Sequence, residues 1–458
     1  MKRTYLLIAL LAAYALVLGA PFLFRPADVV EDADEVVVVM SPHPESIKYE
    51  YSQGFKRWML EEHGRKVKIE WLDVGGTSSQ VRYITSQFKS EPEGIGIDVF
   101  FGGGTDPYLQ FHKKGILQPY RVPESVLGQI PQDVAGLRMY DAAAGWYGAA
   151  VSGFGIISNV VVAEHIGLPI PQTWSDLGEP ALAGWVSSGD PANSGSTHVM
   201  FEIITQSRPW PEAWELVARM GGNTRYFNEH ASNVPHDVAV GEVASGICVD
   251  FYAGAQIAQA GKDKLTFVLP KNMTVINPDS IAILKGAPHM ELAELFLQYV
   301  LSEAGQKLLF LPPGVPGGPI KFTLARIPVI PRLLTEYADE SVLTYDPYAE
   351  EQWFHYDFEL ASARWPVMND LWRAIFIDHH GLLADAWRRV IDLGFPKDLT
   401  AELFEPAVAE GEINAAAARW SDDQLFRNRT KNEWSQALKE RYERIIEKAD
   451  SRLERAGR

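Results

Sequence analysis

The spacing of apolar positions changes repeatedly between Val36 and Phe101. Val36–Met40 is an unbroken apolar run. So, apart from Asp98, is Ile97–Phe101. Both are too short for helices and read as strands buried on two faces. Ile47, Tyr51, Phe55, Trp58 and Met59 fall on one helical stripe, which Gly64 ends. Val67, Ile69 and Trp71 then alternate as a strand. Val81, Ile84 and Phe88 return to helical spacing behind Thr77-Ser78-Ser79-Gln80, a capping-box pattern. The order β-α-β-α-β predicts a parallel sheet with crossover helices.

The run ending at Phe101 opens onto Gly102-Gly103-Gly104-Thr105-Asp106-Pro107. Three glycines allow a sharp turn and a close approach by another group. Asp106 suits an N-cap and Pro107 the first helical position, so a helix is predicted through Phe111, stopping at Gly115. A strand end facing a helix start is where open α/β sheets bind ligands.

Beyond Tyr120 the pattern loosens. Trp146–Asn159 is a long extended segment that could pass between two lobes. Val186 begins a predicted loop through Ser196, followed by helices over His198–Gln206 and Pro211–Met220. Gly246–Asp250 and Thr266–Leu269 read as strands around a helix at Phe251–Ala260, and Val275–Lys285 as another extended run. Helices are expected at Glu291–Leu301 and Glu303–Phe310, before the Pro/Gly breaker Pro312–Pro319. From about Pro331 strand alternation is lost. The tail carries Trp353, Trp365, Trp372, Trp387, Trp420 and Trp434, and ends in an amphipathic stripe of Trp434, Leu438, Tyr442 and Ile445.

Charge narrows the function classes. A formal net charge of −17 argues against nucleic acid, whose phosphates need basic surface. A single cysteine, Cys248, excludes an internal disulfide and a cysteine-built metal cluster. Lys2 and Arg3 before the apolar run Tyr5–Phe24 form an export signal. Residues 1–25 are then either an uncleaved membrane anchor, favoured by the poor cleavage site at Leu18–Pro21, or a signal peptide. Pro26–Glu35 is an acidic tether.

Three predicted helix starts carry anion-friendly hydroxyls: Thr77-Ser78-Ser79, Thr105-Asp106 and Ser194-Gly195-Ser196-Thr197. The Ser194 loop is the best of them, because small residues let a ligand reach the backbone, although plain N-capping explains it equally well. His43, between two prolines after a strand, is either a ligand-facing or a solvated loop histidine; Tyr252 is a ligand group or a core aromatic. No Walker loop, His-Glu-x-x-His or Gly-x-Ser-x-Gly is present. Asp378-His379-His380 reads as a helix end. The chain is therefore not read as an enzyme, and no cofactor is expected.

Taken in order, these pieces resemble periplasmic solute-binding proteins of the type 2 class, in the ferric-iron-binding-like branch. The resemblance spans roughly Glu35 to Pro331 and rests on several stretches. They are Ser41-Pro42-His43 after the first strand, Asp98–Phe101 with Gly115–Tyr120, and Trp174-Ser175-Asp176-Leu177. Further along are the Ser187–Thr197 loop, Val240–Val243 with Asp250-Phe251-Tyr252, and Ser302–Gln306. It implies an α/β, two-lobed type 2 periplasmic binding protein fold, here with an all-helical C-terminal extension. Lobe 1 would be 35–140 with 275–330, lobe 2 would be 141–274, and the extension 331–458. It also implies an extracytoplasmic location, at the inner membrane if the anchor stays, and delivery to an ABC permease.

Iron-binding members place a carboxylate after the Asp-Val-Phe strand and two adjacent tyrosines further on. Here those positions are Gly102–Gly104 and Phe251-Tyr252. A small anionic or zwitterionic ligand (a phosphonate, sugar phosphate or carboxylate) is therefore expected. The implied site is Ser41, His43, Thr77, Ser78, Gly103, Gly104, Thr105, Asn193, Ser194, Gly195, Ser196 and Tyr252, with Asp250 for an ammonium group. The alternatives are iron held by His43 and Tyr252, or a membrane-tethered sensor on the same fold.

Overall fold

The computed structural model describes residues 33–455, apart from 135, 136, 344, 345, 347 and 349–353. The 1–25 segment and Trp353 therefore lie outside the described residues. Within them, no helix is long and apolar enough to cross a membrane.

The strands are β1 Glu35–Met40, β2 Val67–Leu72, β3 Val99–Phe101, β4 Leu117–Gln118, β5 Asp133–Val134, β6 Leu137–Arg138, β7 Tyr147–Asn159, β8 Val186–Gly189, β9 Thr224–Asn228, β10 Ser245–Val249, β11 Leu265–Val268 and β12 Ile276–Leu284. The sheet runs β2-β1-β3-β12-β7-β10-β8-β9. β1 pairs in parallel with β2 and β3, so the β-α-β-α-β expectation holds.

β7 joins the two halves, as expected of Trp146–Asn159. Its Tyr147–Gly153 stretch pairs with β12, and its Phe154–Ser158 stretch with β10. β12 in turn pairs with β3 through Ile281–Ile283. β7 and β12 are buried along their whole length, which explains the apolar, glycine-rich sequence of β7 and the apolar Ile281–Leu284 end of β12. The register of β12 on β7 slips between Asp279 and Ser280, a bulge of the kind that re-aims a side chain.

Three local expectations are corrected. Val186–Gly189 is not loop but β8, hydrogen-bonded to both β10 and β9, and its small side chains are buried between them. The capping box at Thr77 does not form: Gly76 is the N-cap of helix Thr77–Ser90, without a side-chain cap. Asp106 does not cap either. Helix Asp106–Lys113 is preceded by Thr105, and Asp106 is its first residue with a fully buried carboxyl. Burial, then Glu202, push that carboxyl up to about 8.

The three glycines behave as a unit. Gly102, Gly103 and Gly104 have φ of 103°, 90° and 80°, a run that side chains with a Cβ rarely adopt.

After residue 331 the described elements are helical, the larger ones being Phe358–Trp372, His380–Asp392, Lys397–Phe404, Glu410–Trp420 and Gln424–Arg455. The tryptophans explain their attachment. Trp372, Trp387 and Trp420 are fully buried in the same apolar core as the sheet. Trp387 Nε1 donates to Asn223 Oδ1 at 2.7 Å, and Trp210 Nε1 donates to the Val408 carbonyl at 2.8 Å. A Cβ on Gly222 would meet the Trp387 ring at 2.5 Å, so a glycine there lets helix Trp210–Asn223 accept the extension.

Candidate functional site

The cleft where β7 and β12 cross holds a cavity of about 100 Å³. That is room for one compact group rather than a whole large solute. Its walls combine the β1 loop at His43, the glycine turn, two helix starts, and a segment near Arg326.

The helix starts meet head to head. Thr77 opens Thr77–Ser90 and Gly195 opens Gly195–Gln206. A Cβ on Gly195 would lie 2.9 Å from Thr77 Cβ, and one on Gly103 would lie 2.6 Å from Thr77 Cγ2. Behind them, a Cβ on Gly76 would lie 2.5 Å from the Asn193 carbonyl oxygen. Only glycines permit this approach. The first N–H groups of each helix have no acceptor within the helix. Ser194 caps the second helix, accepting from Thr197 N–H at 3.3 Å, and its Oγ lies 3.2 Å from Ser196 Oγ.

The polar centre is Asp279, His43 and Arg326. Asp279 Oδ2 stands 2.6 Å from His43 Nε2 and 2.5 Å from Arg326 Nη2, while its Oδ1 accepts from Gly104 N–H at 3.1 Å. Arg326 Nη1 also lies 3.1 Å from His43 Nε2. One nitrogen cannot both donate to Asp279 and accept from Arg326. The shorter contact to a carboxylate places the proton on Nε2 and leaves Nδ1 as a bare acceptor. Burial lowers the His43 pKa against the pull of Asp279, so the ring is neutral at pH 7. Burial alone would raise the Asp279 carboxyl; Arg326 and then His43 reverse this and hold it well below the carboxylate range.

Arg326 is 1% exposed and sits 4.2 Å over the Phe251 ring. It is set in place by Ala325, which adopts a left-handed φ of 51°, and by its own N–H donating to the Leu309 carbonyl. His43 Nδ1, Arg326 Nε and Asn277 Nδ2 are buried without a partner among the described residues.

Of the residues expected from sequence, His43, Thr77, Gly103, Gly104, Ser194, Gly195, Ser196 and Tyr252 line this cavity. Five do not. Ser41 Oγ is buried and accepts from His43 N–H at 3.2 Å, bracing the loop. Ser78 Oγ faces the extension, 3.4 Å from the Asn369 amide. Thr105 Oγ1 turns inward to Asn277 Oδ1 and the Pro278 carbonyl. Asn193 turns its side chain to Asp190, at 2.6 Å. Asp250 accepts from Gly153 N–H at 2.8 Å and from its neighbour's Phe251 N–H at 2.7 Å, and borders a different cavity. Backbone donors thus hold both of its oxygens in place.

Sequence reading missed Asp279, Asn277, Ser152 and Arg326. The signal was there: Asp279 and Asn277 interrupt a buried apolar strand, and Arg326 stands alone among Leu324, Ala325 and Ile327. Buried charges of that kind need partners. The Asp378-His379-His380 run sits where the Arg373–Ile377 turn ends and helix His380–Asp392 begins. His379 Nε2 lies 2.8 Å from Ser435 Oγ, and His380 Nε2 lies 3.0 Å from the Thr224 carbonyl.

The family model described as bacterial extracellular solute-binding protein matches residues 96–311. The phosphoglycerate transport regulatory protein PgtC of Salmonella typhimurium is 29% identical over 162 residues, 35% of this chain and 39% of that protein. The alignment thus spans well under half of that relative. Among solved structures, the periplasmic binding protein AfuA from Actinobacillus pleuropneumoniae, with fructose-6-phosphate bound, has a TM-score of 0.59 at 21% identity, covering 75% of this chain and 99% of that one. The substrate binding protein of an ABC transporter from Agrobacterium tumefaciens gives 0.56 at 16%, covering 75% and 95%. Apo ferric ion-binding protein A of Pasteurella haemolytica gives 0.52 at 15%, covering 68% and 92%. Residues 96–311 therefore match the family of bacterial extracellular solute-binding proteins, and the chain has the two-lobed type 2 fold of the periplasmic binding proteins it resembles.

Proposed function

We propose that the protein is the extracytoplasmic solute-binding component of an ABC importer, and that its cleft captures a small organic anion bearing a phosphate-like head. The observation that carries this is the meeting of two helix N-termini, at Thr77 and Gly195, on one cavity. Two positive helix ends at van der Waals distance repel one another, and an anion between their free N–H groups relieves that. Arg326 is already balanced by Asp279, so the head would be held mainly by oriented backbone dipoles. His43 Nδ1 and Asn277 Nδ2 are left to bind the solute's remaining polar groups. The lobes, 35–140 with 275–330 and 141–274, would close by hinging on β7 and β12. The cited AfuA structure holds a sugar phosphate, and PgtC is named for phosphoglycerate; both support a phosphorylated solute.

Iron is the weaker reading. The glycine turn offers no carboxylate, Asp279 is committed to Arg326, and burial, against the opposing Arg326, pushes the Tyr252 hydroxyl up to about 12. A hard trivalent cation needs anionic oxygens that are easily ionised. A sensing role is favoured by one observation, that PgtC is named a regulatory protein.

Thermal melts against sugar phosphates, phosphoglycerates, phosphonates, carboxylates and ferric salts test the proposal. A ligand at a hundredfold excess over Kd adds about 2.7 kcal/mol to stability. Stabilisation by phosphate esters alone is expected; stabilisation by ferric salt alone, with a tyrosinate absorption band, would overturn it. Uptake of the identified solute by membrane vesicles carrying an ABC permease, with and without this protein, separates import from sensing.

A further inference from the structure

A second cavity, of about 710 Å³, lies outside the cleft in the seam between helix Thr77–Ser90 and the C-terminal extension. Six cations line it: Arg82, Lys89, Lys114, Arg373, Arg427 and Lys431. Two carboxylates oppose them. Asp370 is consumed by Arg427 at 2.7 Å and Lys431 at 2.9 Å, and Asp422 is the other. Outside the cavity, Arg373 has Asp378 at 3.5 Å. The lining thus carries four more positive than negative groups, in a chain whose net charge is −17. Arg82, Lys89, Lys114 and Arg373 stand at the exposed rim, where together they make a positive field that draws in anions.

Independent signs point the same way. Gln110 Nε2 and Thr85 Oγ1, both on the cavity wall, are buried with no partner among the described residues. A buried donor without an acceptor costs free energy that a bound oxyanion would recover. Burial and the neighbouring Arg427 and Arg373, against the pull of Asp370, hold Arg82 below the usual arginine range. Burial and Lys89 do the same to Lys114.

We infer that this seam binds a small polyvalent oxyanion, clamped between lobe 1 and the extension. The volume suits a ligand with two or more phosphate or carboxylate groups. Its place matters to the cleft: Thr77, at the head of the helix that carries Arg82 and Lys89, lines the solute cavity. Occupancy of the seam and of the cleft then act on one helix, and any coupling between them is reciprocal.

The test uses the full chain with pyrophosphate and citrate, each against a chloride control of equal ionic strength, by calorimetric titration. Two variants separate the sites: Lys89→Glu with Lys114→Glu in the seam, and Gly195→Val in the cleft. Binding is expected to survive Gly195→Val and to weaken about tenfold or more in the seam variant, the scale of a lost charge-assisted contact. Lys89→Gln with Lys114→Gln, which removes charge without reversing it, should weaken it less. Pyrophosphate without citrate would mark a phosphate site, and the reverse a carboxylate site. Loss of binding in Gly195→Val, retention in the seam variant, or no heat beyond chloride with either anion overturns the inference.

Discussion

Gly195 and Thr77 stand face to face across the cleft, so close that a methyl group on Gly195 would lie 2.9 Å from the threonine Cβ. The neighbour there is a β-branched side chain fixed at a helix start, not a flexible tip. A larger residue should therefore wedge the lobes apart. Gly195→Val is expected to leave the unliganded melting temperature nearly unchanged and to abolish the ligand-induced shift. Small-angle scattering should show no compaction on adding solute. Normal compaction in the variant would mean that closure does not pass through this contact.

Arg326 is the sole cation touching Asp279 among the described contacts, and both are buried. Removing one partner strands the other. Arg326→Ala should cost about 3–5 kcal/mol in urea unfolding, whereas Arg326→Met with Asp279→Asn should cost less. In the single variant the His43 pKa should rise, because the cation that depresses it is gone while Asp279 remains. Nuclear magnetic resonance titration of the His43 ring reads this directly, and an unmoved titration would disprove the proposed linkage.

Asp106 predicts an alkaline penalty. Its folded pKa is about 8, raised by burial and then by Glu202, above the ordinary carboxyl value. The folded state therefore holds a proton that the unfolded state releases, and this contribution to stability fades as pH rises from about 4 through 8. Asp106→Asn should match the parent at pH 4 and exceed it at pH 8 by several kcal/mol, at about 1.4 kcal/mol per pH unit. Equal stability at pH 8 would show the carboxyl to be hydrated.

His198 predicts the acid limb. Burial pushes its imidazole down to about 3, and its ring stacks 3.8 Å from Trp365 of the extension. The unfolded state binds the proton first, so stability is lost as pH falls below about 6.5 towards the folded value. His198→Gln should flatten the fall between pH 6 and 4, as followed by chemical denaturation. A slope unchanged from the parent would assign the acid limb elsewhere.

The extension is covered on its inner side by the sheet core. Glu202 and Arg364 form an ion pair at 2.5 Å with both side chains fully buried. Deleting Leu333–Arg458 would strip Gly221, Gly222 and Trp210 of their partners. The truncated protein should aggregate and melt well below the parent. A soluble truncation of equal stability would make the extension an independent module.

Much of the fold was written in local pattern. The first five elements follow from apolar spacing, because β3 is buried on both faces, β1 fully on the Val37 and Val39 face and partly on the other, and helix Glu45–His63 on one. The helix at Gly195 and its Ser194 cap follow from residue chemistry within a few positions. The all-helical extension likewise showed in its loss of alternation, and its tryptophans announced burial. What sequence could not determine is which side chains share a point in space. Thr105, Ser78 and Asn193 have the right chemistry for an anion but are turned to Asn277, Asn369 and Asp190. Asp279 and Arg326, separated along the chain by the Pro/Gly breaker, become partners only through tertiary packing: the register of β12 slips beside Asp279, where Ala149 of β7 is the extra residue, and a left-handed Ala325 sets Arg326. Periodicity is a property of neighbours in sequence and survives without the fold. A cleft is made of residues distant in sequence, so only tertiary packing decides its members.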